Sequence, residues 1–179
     1  MDNFIEEILF THEEIVKKCK ELGESITKDY QNKCPILIGL LKGCVPFMAE
    51  LIKHIKCDME IDFMKASSYQ GICSTGTVTI TKDTSTSVAE RHVIIVEDIV
   101  DSGLTLQQVT NLLRDRKATS IEVVVLLDKP AGRTIKQFKP KYVGFTIPPK
   151  FVVGFGLDYN ELYRNLDYVG VLKKSVYDK

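Results

Sequence analysis

The sequence predicts an α/β fold in which a mostly parallel sheet is flanked by helices, with a small β-rich appendage. Twice, at residues 35–55 and 92–113, an apolar run of strand length leads through a short loop into a helical pattern. A third run, IEVVVLLD at residues 121–128, is uniformly apolar, as expected of a strand covered on both faces. Strands that alternate with helices imply parallel pairing through right-handed crossovers.

An amphipathic helix is predicted near the N-terminus. Thr11 and Glu14 have the spacing of a capping box, in which each side chain bonds the backbone N–H of the other residue. Apolar side chains then recur at helical spacing on one face, at Ile15, Cys19, Leu22, Ile26 and Tyr30. We expect this face to pack against the sheet.

The first strand–loop–helix unit begins with PILIGLL at residues 35–41, and Pro46 lies near the predicted start of its helix. A half-buried strand is then predicted where apolar residues alternate with acids, at Met59, Ile61 and Phe63.

The segment at residues 67–76 is rich in Ser and Gly and predicts a loop. TVTITKD at residues 77–83 predicts a further strand, paired antiparallel.

The second unit contains a buried strand at residues 92–96, and its helix follows Gly103, with apolar residues at Leu106, Val109, Leu112 and Leu113. After Lys129-Pro130 only short segments remain, such as YVGFTI, FVVGFGL and YVGVLKK, separated by polar turns. We interpret this tail as the β-rich appendage of a single domain that spans residues 1–179.

Composition excludes several classes of protein. The chain has 24 Lys plus Arg and 24 Asp plus Glu, so no global basic field favours nucleic acid. Its five cysteines include no Cys-x-x-Cys pair, which argues against a disulfide framework and a zinc site and favours a reducing, cytoplasmic location. The acidic N-terminus is unlike a secretory signal, and the apolar runs are too short to span a membrane.

The stretch VIIVEDIVDSGLTL, at residues 93–106, carries the strongest chemical signal. Ligands of open α/β sheets bind beyond the carboxyl ends of the strands, where its acids lie. Residues 101–105 supply hydroxyls and free N–H groups at a helix start, which suits a phosphate. Adjacent on an extended segment, Glu97 and Asp98 should point to opposite sides, which favours a sugar diol or water-bridged Mg²⁺ over joint chelation. The alternative is a plain turn and helix cap with solvated acids.

VEDIVDSGLTL resembles the ribose-phosphate and diphosphate-sugar binding signature of the type I phosphoribosyltransferases. Two further segments, GLLKGCVPFMAEL at residues 39–51 and KFVVGFGLDYNELYR at residues 150–164, resemble the diphosphate loop and the purine-binding hood of hypoxanthine-guanine phosphoribosyltransferases. The resemblance extends from about Ile38 to Arg164. It implies the type I phosphoribosyltransferase fold, with a core at about 35–128 and a hood formed by the N-terminal segment and about 129–179.

The resemblance also implies roles for individual residues. Phosphoribosyl contacts fall to Glu97, Asp98, Asp101, Ser102, Gly103, Leu104 and Thr105. Diphosphate contacts fall to Lys42, Gly43, Ser68, Tyr69 and Arg164, with residues 67–79 as a mobile lid and a Leu41–Lys42 peptide that in this family can be cis. Leu104 departs from the pattern, because some members have a lysine there. Phosphate binding would then rely on the amides and hydroxyls of the loop.

At the purine, Phe151 would stack on the ring, the backbone of Val152 would read its edge, and Lys129 would donate to a 6-oxo group. Asp101 would be the general base that accepts the proton from the purine N7. Mg²⁺ would be held by Glu97 and Asp98, with Asp158 holding it through water or lying near the purine 2-position. Solvated surface charge is the competing explanation for each charged residue.

The implied reaction is a Mg²⁺-dependent purine salvage step. Hypoxanthine, and guanine with it, would react with 5-phosphoribosyl 1-diphosphate to give IMP or GMP and diphosphate. The alternatives are a xanthine- or adenine-preferring relative and an RNA-binding regulator on the same fold, which should show a basic face. We expect a homodimer or homotetramer without nucleic-acid or membrane partners.

Overall fold

The computed structural model describes residues 2–68 and 78–178. In chain order its strands and helices are β1 (Ile5–Phe10), α1 (His12–Tyr30), β2 (Ile36–Leu40), α2 (Cys44–Ile52), β3 (Glu60–Ser68), β4 (Val78–Lys82), β5 (His92–Val100), α3 (Leu104–Asp115), β6 (Ser120–Asp128), β7 (Tyr142–Thr146), β8 (Val152–Val153), β9 (Val169–Leu172) and α4 (Lys174–Tyr177). Short 3₁₀ turns lie at Asp2–Phe4 and Pro130–Gly132.

Among the described residues, the main sheet has six strands in the order β4-β3-β2-β5-β6-β7. All neighbours pair in parallel except β3 and β4, which are antiparallel. Helices cover both faces: on β5, Ile94 and Val96 join the core cluster of α1 and α2, while Val93 and Ile95 join that of α3. The α/β fold with a mostly parallel sheet is therefore confirmed.

The first helix forms as its sequence predicts. Thr11 and Glu14 make both bonds of the capping box, and the expected face is the buried one. Ile15, Cys19 and Ile26 are fully buried against the sheet.

A second, antiparallel sheet has three strands in the order β1-β9-β8. It joins the N-terminal segment to the C-terminal one, with Ile8 opposite Gly170 and Val152 opposite Val171. One strand of the segment predicted to form the hood lies elsewhere, because β7 pairs with β6 in the main sheet. The Tyr142 hydroxyl of β7 donates to Asp29 of α1 at 2.7 Å, which ties this edge of the sheet to a helix.

The strand β3 differs from its predicted pattern. Ile61, predicted to face inward, is 49% exposed, whereas Asp62 is only 8% exposed. The Asp62 carboxylate accepts backbone N–H groups from Phe63, Ser85 and Thr86, which compensates for its burial. The strand also runs on through Ser68, so the predicted loop does not begin at residue 67. The antiparallel strand expected at residues 77–83 is confirmed as β4.

Among the helices of the described residues, none combines the length and apolar character that a membrane crossing requires.

Candidate active site

The predicted site residues gather where the parallel strands end and the small sheet covers them. The loop after β2 carries Lys42, the loop after β5 carries Asp101, and Lys129 directly follows β6. Because carboxyl ends of parallel strands share one edge, three separate chain segments contribute to one cleft.

A small cavity lies at the start of α3. It measures about 140 Å³ and is lined by Glu97, Asp101, Ser102, Gly103 and Thr105, together with neighbouring apolar residues. Gly103 has a φ of 81°, a left-handed conformation that favours glycine, and it turns the chain from the strand into the helix. This concavity of hydroxyls and backbone N–H groups has the chemistry of a phosphate site.

Leu104 does not line this cavity, unlike most of the other residues predicted to bind the phosphoribosyl group. It begins α3, and its side chain is 44% exposed. The side chain therefore adds nothing to the phosphate-sized space.

Glu97 and Asp98 face different spaces, as their adjacency on a strand predicts. Glu97 lines the phosphate-sized cavity, whereas Asp98 lines a second cavity with Phe151 and Asp158. Burial raises the pKa of Glu97 well above its ordinary value, and the charge of Asp98 raises it further. Burial also raises the pKa of Asp98 to about 6, although the Ile99 N–H and Arg164 oppose the rise. A cation bound nearby would favour the charged form of both groups and lower these pKa values again.

Asp101 and Lys129 lie between the two cavities. The Lys129 ammonium contacts Asp101 Oδ2 at 2.9 Å. Asp101 lines both cavities, and Lys129 lines the second. A proton acceptor and a proton donor therefore stand side by side at the junction.

The second cavity, about 200 Å³, has the aromatic wall that a planar ring requires. Phe151 is 38% exposed and lines it together with Val152, a residue of the edge strand β8. Phe151 stacks on Tyr177 with ring centroids 4.9 Å apart, and Tyr159 meets it edge-on at 5.8 Å. These two tyrosines fix the orientation of the Phe151 ring. Neither had a predicted role, although Tyr159 lies within the segment at residues 150–164.

The loop after β2 also reaches the cleft. The Leu41–Lys42 peptide is cis, as in members of the family that the sequence resembles. A Cβ atom at Gly43 would lie 1.7 Å from Asp98 Oδ2, and one at Gly156 would lie 1.9 Å from the Gly43 carbonyl oxygen. Glycines at these two positions therefore allow the loop, the strand β5 and the hood to meet.

Arg164 stands in a cluster of charges beside this loop. Its guanidinium donates to the Gly156 carbonyl at 2.7 Å and pairs with Asp158 at 2.8 Å. Glu161, which the sequence interpretation did not include, contacts Arg164 at 3.4 Å and Lys42 at 2.9 Å. Both cations expected to meet a diphosphate are thus already paired with carboxylates.

The connection after β6 contacts Asp101, and the sequence had not indicated this role. A Cβ atom at Gly132 would lie 1.5 Å from Asp101 Oδ1. The Arg133 side chain donates to the backbone carbonyls of Asp101 and Phe138 at 3.1 and 2.7 Å and forms an ion pair with Asp128. No short motif marks these residues, because their contacts depend on the fold of a distant loop.

The carboxylates Glu97, Asp98 and Asp158 fit Mg²⁺ in part. They offer the oxygen ligands that the ion prefers, and Glu97 Oε2 is buried without a hydrogen-bond partner among the described residues. Within residues 2–68 and 78–178, however, no group of three or more His, Cys, Asp or Glu could hold a metal by itself. Since Mg²⁺ commonly takes one or two carboxylates together with substrate phosphates, these residues suit an ion that arrives with its substrate.

Most of the predicted lid lies outside the described residues. Ser68 ends β3, and Tyr69 and most of the segment at 67–79 lie outside the described residues.

Comparisons with known proteins place the chain in a family. Residues 6–160 match the family model of the phosphoribosyl transferase domain. The hypoxanthine-guanine phosphoribosyltransferase of Lactococcus lactis is 55% identical over 100% of this chain and 97% of its own length.

Two solved structures are similar as well. A crystal structure of a hypoxanthine phosphoribosyltransferase from Staphylococcus aureus superimposes with a TM-score of 0.96 at 51% identity, covering 100% of this chain and 97% of that one. A mutant of the Trypanosoma cruzi hypoxanthine phosphoribosyltransferase, complexed with the product IMP, gives 0.94 at 39% identity, covering 99% and 96%. The chain therefore belongs to the phosphoribosyltransferase family and, within it, to the hypoxanthine-guanine phosphoribosyltransferases.

Proposed function

We propose that this enzyme transfers the phosphoribosyl group of 5-phosphoribosyl 1-diphosphate to hypoxanthine and guanine, forming IMP or GMP and diphosphate. The observation that carries the proposal is the Asp101–Lys129 pair at 2.9 Å, at the junction of a phosphate-sized cavity and an aromatic-walled one. The names of the relatives and the IMP complex of the Trypanosoma cruzi protein support the same choice of substrates.

In this reaction a purine nitrogen attacks C1 of the ribose while the diphosphate leaves. Asp101 accepts the proton from the purine N7 as general base, which typically contributes about 10²–10⁴-fold to the rate. Lys42 and Arg164 neutralise the departing diphosphate, and the loop at residues 101–105 holds the 5-phosphate through its amides and hydroxyls. Positive charge develops on the ribose, which the carboxylates of Glu97 and Asp98 stabilise.

Lys129 determines which purines are accepted. Its ammonium donates to the 6-oxo group of hypoxanthine or guanine, whereas the 6-amino group of adenine would place a donor against a donor. Before the base binds, the Lys129 ammonium donates instead to the Asp101 carboxylate. The incoming base must separate the two side chains, and it then engages Asp101 at N7 and Lys129 at the 6-oxo group.

Mg²⁺ would be held by Asp98 and Asp158, which line the same cavity; Glu97, also expected to hold the ion, lines the other cavity and would contact the ribose instead. When bound, the ion supplies positive charge that stabilises the diphosphate as it leaves.

The test is a Mg²⁺-dependent assay that supplies 5-phosphoribosyl 1-diphosphate with each of hypoxanthine, guanine, xanthine and adenine. We expect nucleotide from hypoxanthine and guanine and little from adenine. Nucleotide from none of the four bases would refute the proposal, and a preference for adenine would refute the role of Lys129.

A further inference from the structure

The turn at residues 159–162 presents one carboxylate to the two cations of the proposed diphosphate site. Glu161 Oε2 lies 2.9 Å from Lys42 Nζ and 3.4 Å from Arg164 Nη2. A single oxygen atom therefore bridges both cations, as an oxygen of a bound diphosphate would.

The backbone directs Glu161 toward this position. Tyr159 and Leu162 exchange backbone hydrogen bonds of 3.2 and 3.0 Å, which closes a tight turn with Glu161 inside it. Asn160 and Glu161 have φ angles of 52° and 66°, a left-handed conformation that is costly for residues other than glycine. The Glu161 N–H also donates to Asp158 at 2.8 Å. The backbone at Glu161 is therefore constrained, although the Glu161 side chain is 63% exposed.

The charges around this point oppose an incoming anion. Asp98, Asp158 and Glu161 place three carboxyl groups near the two cations, and Asp158 and Glu161 both contact Arg164. Asp98 and Asp158 have the proposed task of holding Mg²⁺, whereas Glu161 has no such task. A diphosphate can use the full charge of Lys42 and Arg164 only after the Glu161 carboxylate has moved away.

We infer that Glu161 is an internal competitor of the diphosphate group, occupying Lys42 and Arg164 before substrate binds and reoccupying them as diphosphate leaves. This inference rests on the proposed function. It gives Glu161 a role in both halves of the cycle: the carboxylate weakens the binding of 5-phosphoribosyl 1-diphosphate, and it assists the release of product diphosphate.

The inference predicts an unusual direction for the change in diphosphate affinity. Replacing a residue of a binding site usually weakens binding, but Glu161→Gln keeps the shape of the side chain and removes only the opposing charge. Because the two contacts are solvent-exposed, the expected gain is modest, roughly two- to fivefold tighter binding of diphosphate. The gain should shrink at high salt, since exposed charge interactions are screened.

Isothermal titration calorimetry with inorganic diphosphate, with and without Mg²⁺, tests the inference on the intact enzyme. Glu161→Gln should lower the Kd of diphosphate and strengthen its inhibition of the forward reaction. Glu161→Asp keeps the charge and should stay closer to the wild type. Glu24→Gln, which removes an exposed carboxylate on α1, is the matched control and should change neither quantity.

The outcomes separate the inference from the function on which it rests. If the wild type binds diphosphate and forms nucleotide while Glu161→Gln binds diphosphate equally or more weakly, the inference is wrong and the proposed function stands. Weaker binding would mean that Glu161 positions Lys42 or the metal. If the wild type neither binds diphosphate nor forms nucleotide, both are wrong.

Discussion

Asp62 shows how a single buried carboxylate can reverse the burial pattern of a strand. Alternation had predicted that Ile61 faces inward, but Asp62 is the buried residue, and three backbone N–H groups satisfy it. Burial alone would raise its pKa, yet the N–H groups of Thr86, Phe63 and Ser85, with Lys82 nearby, lower the pKa below its ordinary value. Two of these donors lie more than twenty residues away, so the local sequence pattern does not reveal them.

We predict that Asp62→Asn destabilises the fold by about 1–3 kcal/mol at neutral pH, because a neutral amide replaces an anionic acceptor. A lowered folded-state pKa stabilises the fold above the ordinary Asp pKa of about 3.9. That stabilisation is lost as pH falls through the folded-state value. Urea unfolding of both proteins between pH 7 and pH 3 should show the difference narrowing in acid.

Asp58→Asn, at an exposed site before the same strand, is the control and should change stability little. A difference between Asp62→Asn and the wild type that is independent of pH would contradict the role of the Asp62 charge.

At the scale of elements, the connection between β6 and β7 does more than join two strands. Gly132 leaves space for one Asp101 carboxylate oxygen, Lys129 contacts the other, and Arg133 holds the Asp101 carbonyl. The backbone N–H groups of Thr134 and Ile135 both donate to the Ser102 carbonyl oxygen. One loop therefore fixes both the proposed general base and the start of the phosphate loop.

We predict that Gly132→Ala lowers turnover by about 10²-fold, because the added methyl group displaces the Asp101 carboxylate from its productive position. The melting temperature should change little, since the conflict is with the end of a side chain. Comparing the substitution in the wild type and in Asp101→Asn isolates the coupling between the two residues. An equal loss of turnover in both backgrounds would show that Gly132 does not act through Asp101.

At the scale of the whole molecule, the features that the sequence predicted are those with a local pattern. Long apolar runs and the capping box predicted β2, β5, β6 and α1, because strand and helix periodicity is written locally. The sequence did not indicate that the segment at residues 142–146 joins the main sheet, because a short segment carries no information about its partner strand.

The site divides in the same way. The motif at residues 97–105 and the residues Lys42, Lys129, Phe151 and Arg164 could be predicted as site residues, because local segments resemble the motifs of a known family. Gly132, Arg133, Glu161 and Tyr177 could not, because each contributes only through contacts with residues distant in sequence or through a backbone conformation that only the fold reveals. The expected homodimer or homotetramer stays a prediction, which light scattering at several protein concentrations can measure.

The most direct measurement for the whole account compares the turnover and the substrate affinity of Asp101→Asn. If Asp101 is the general base, turnover with hypoxanthine should fall by about 10²–10⁴-fold. The Kd of 5-phosphoribosyl 1-diphosphate should change far less, because the 5-phosphate and diphosphate contacts remain. Equal losses in turnover and affinity would contradict a catalytic role for Asp101 and reduce it to a binding residue.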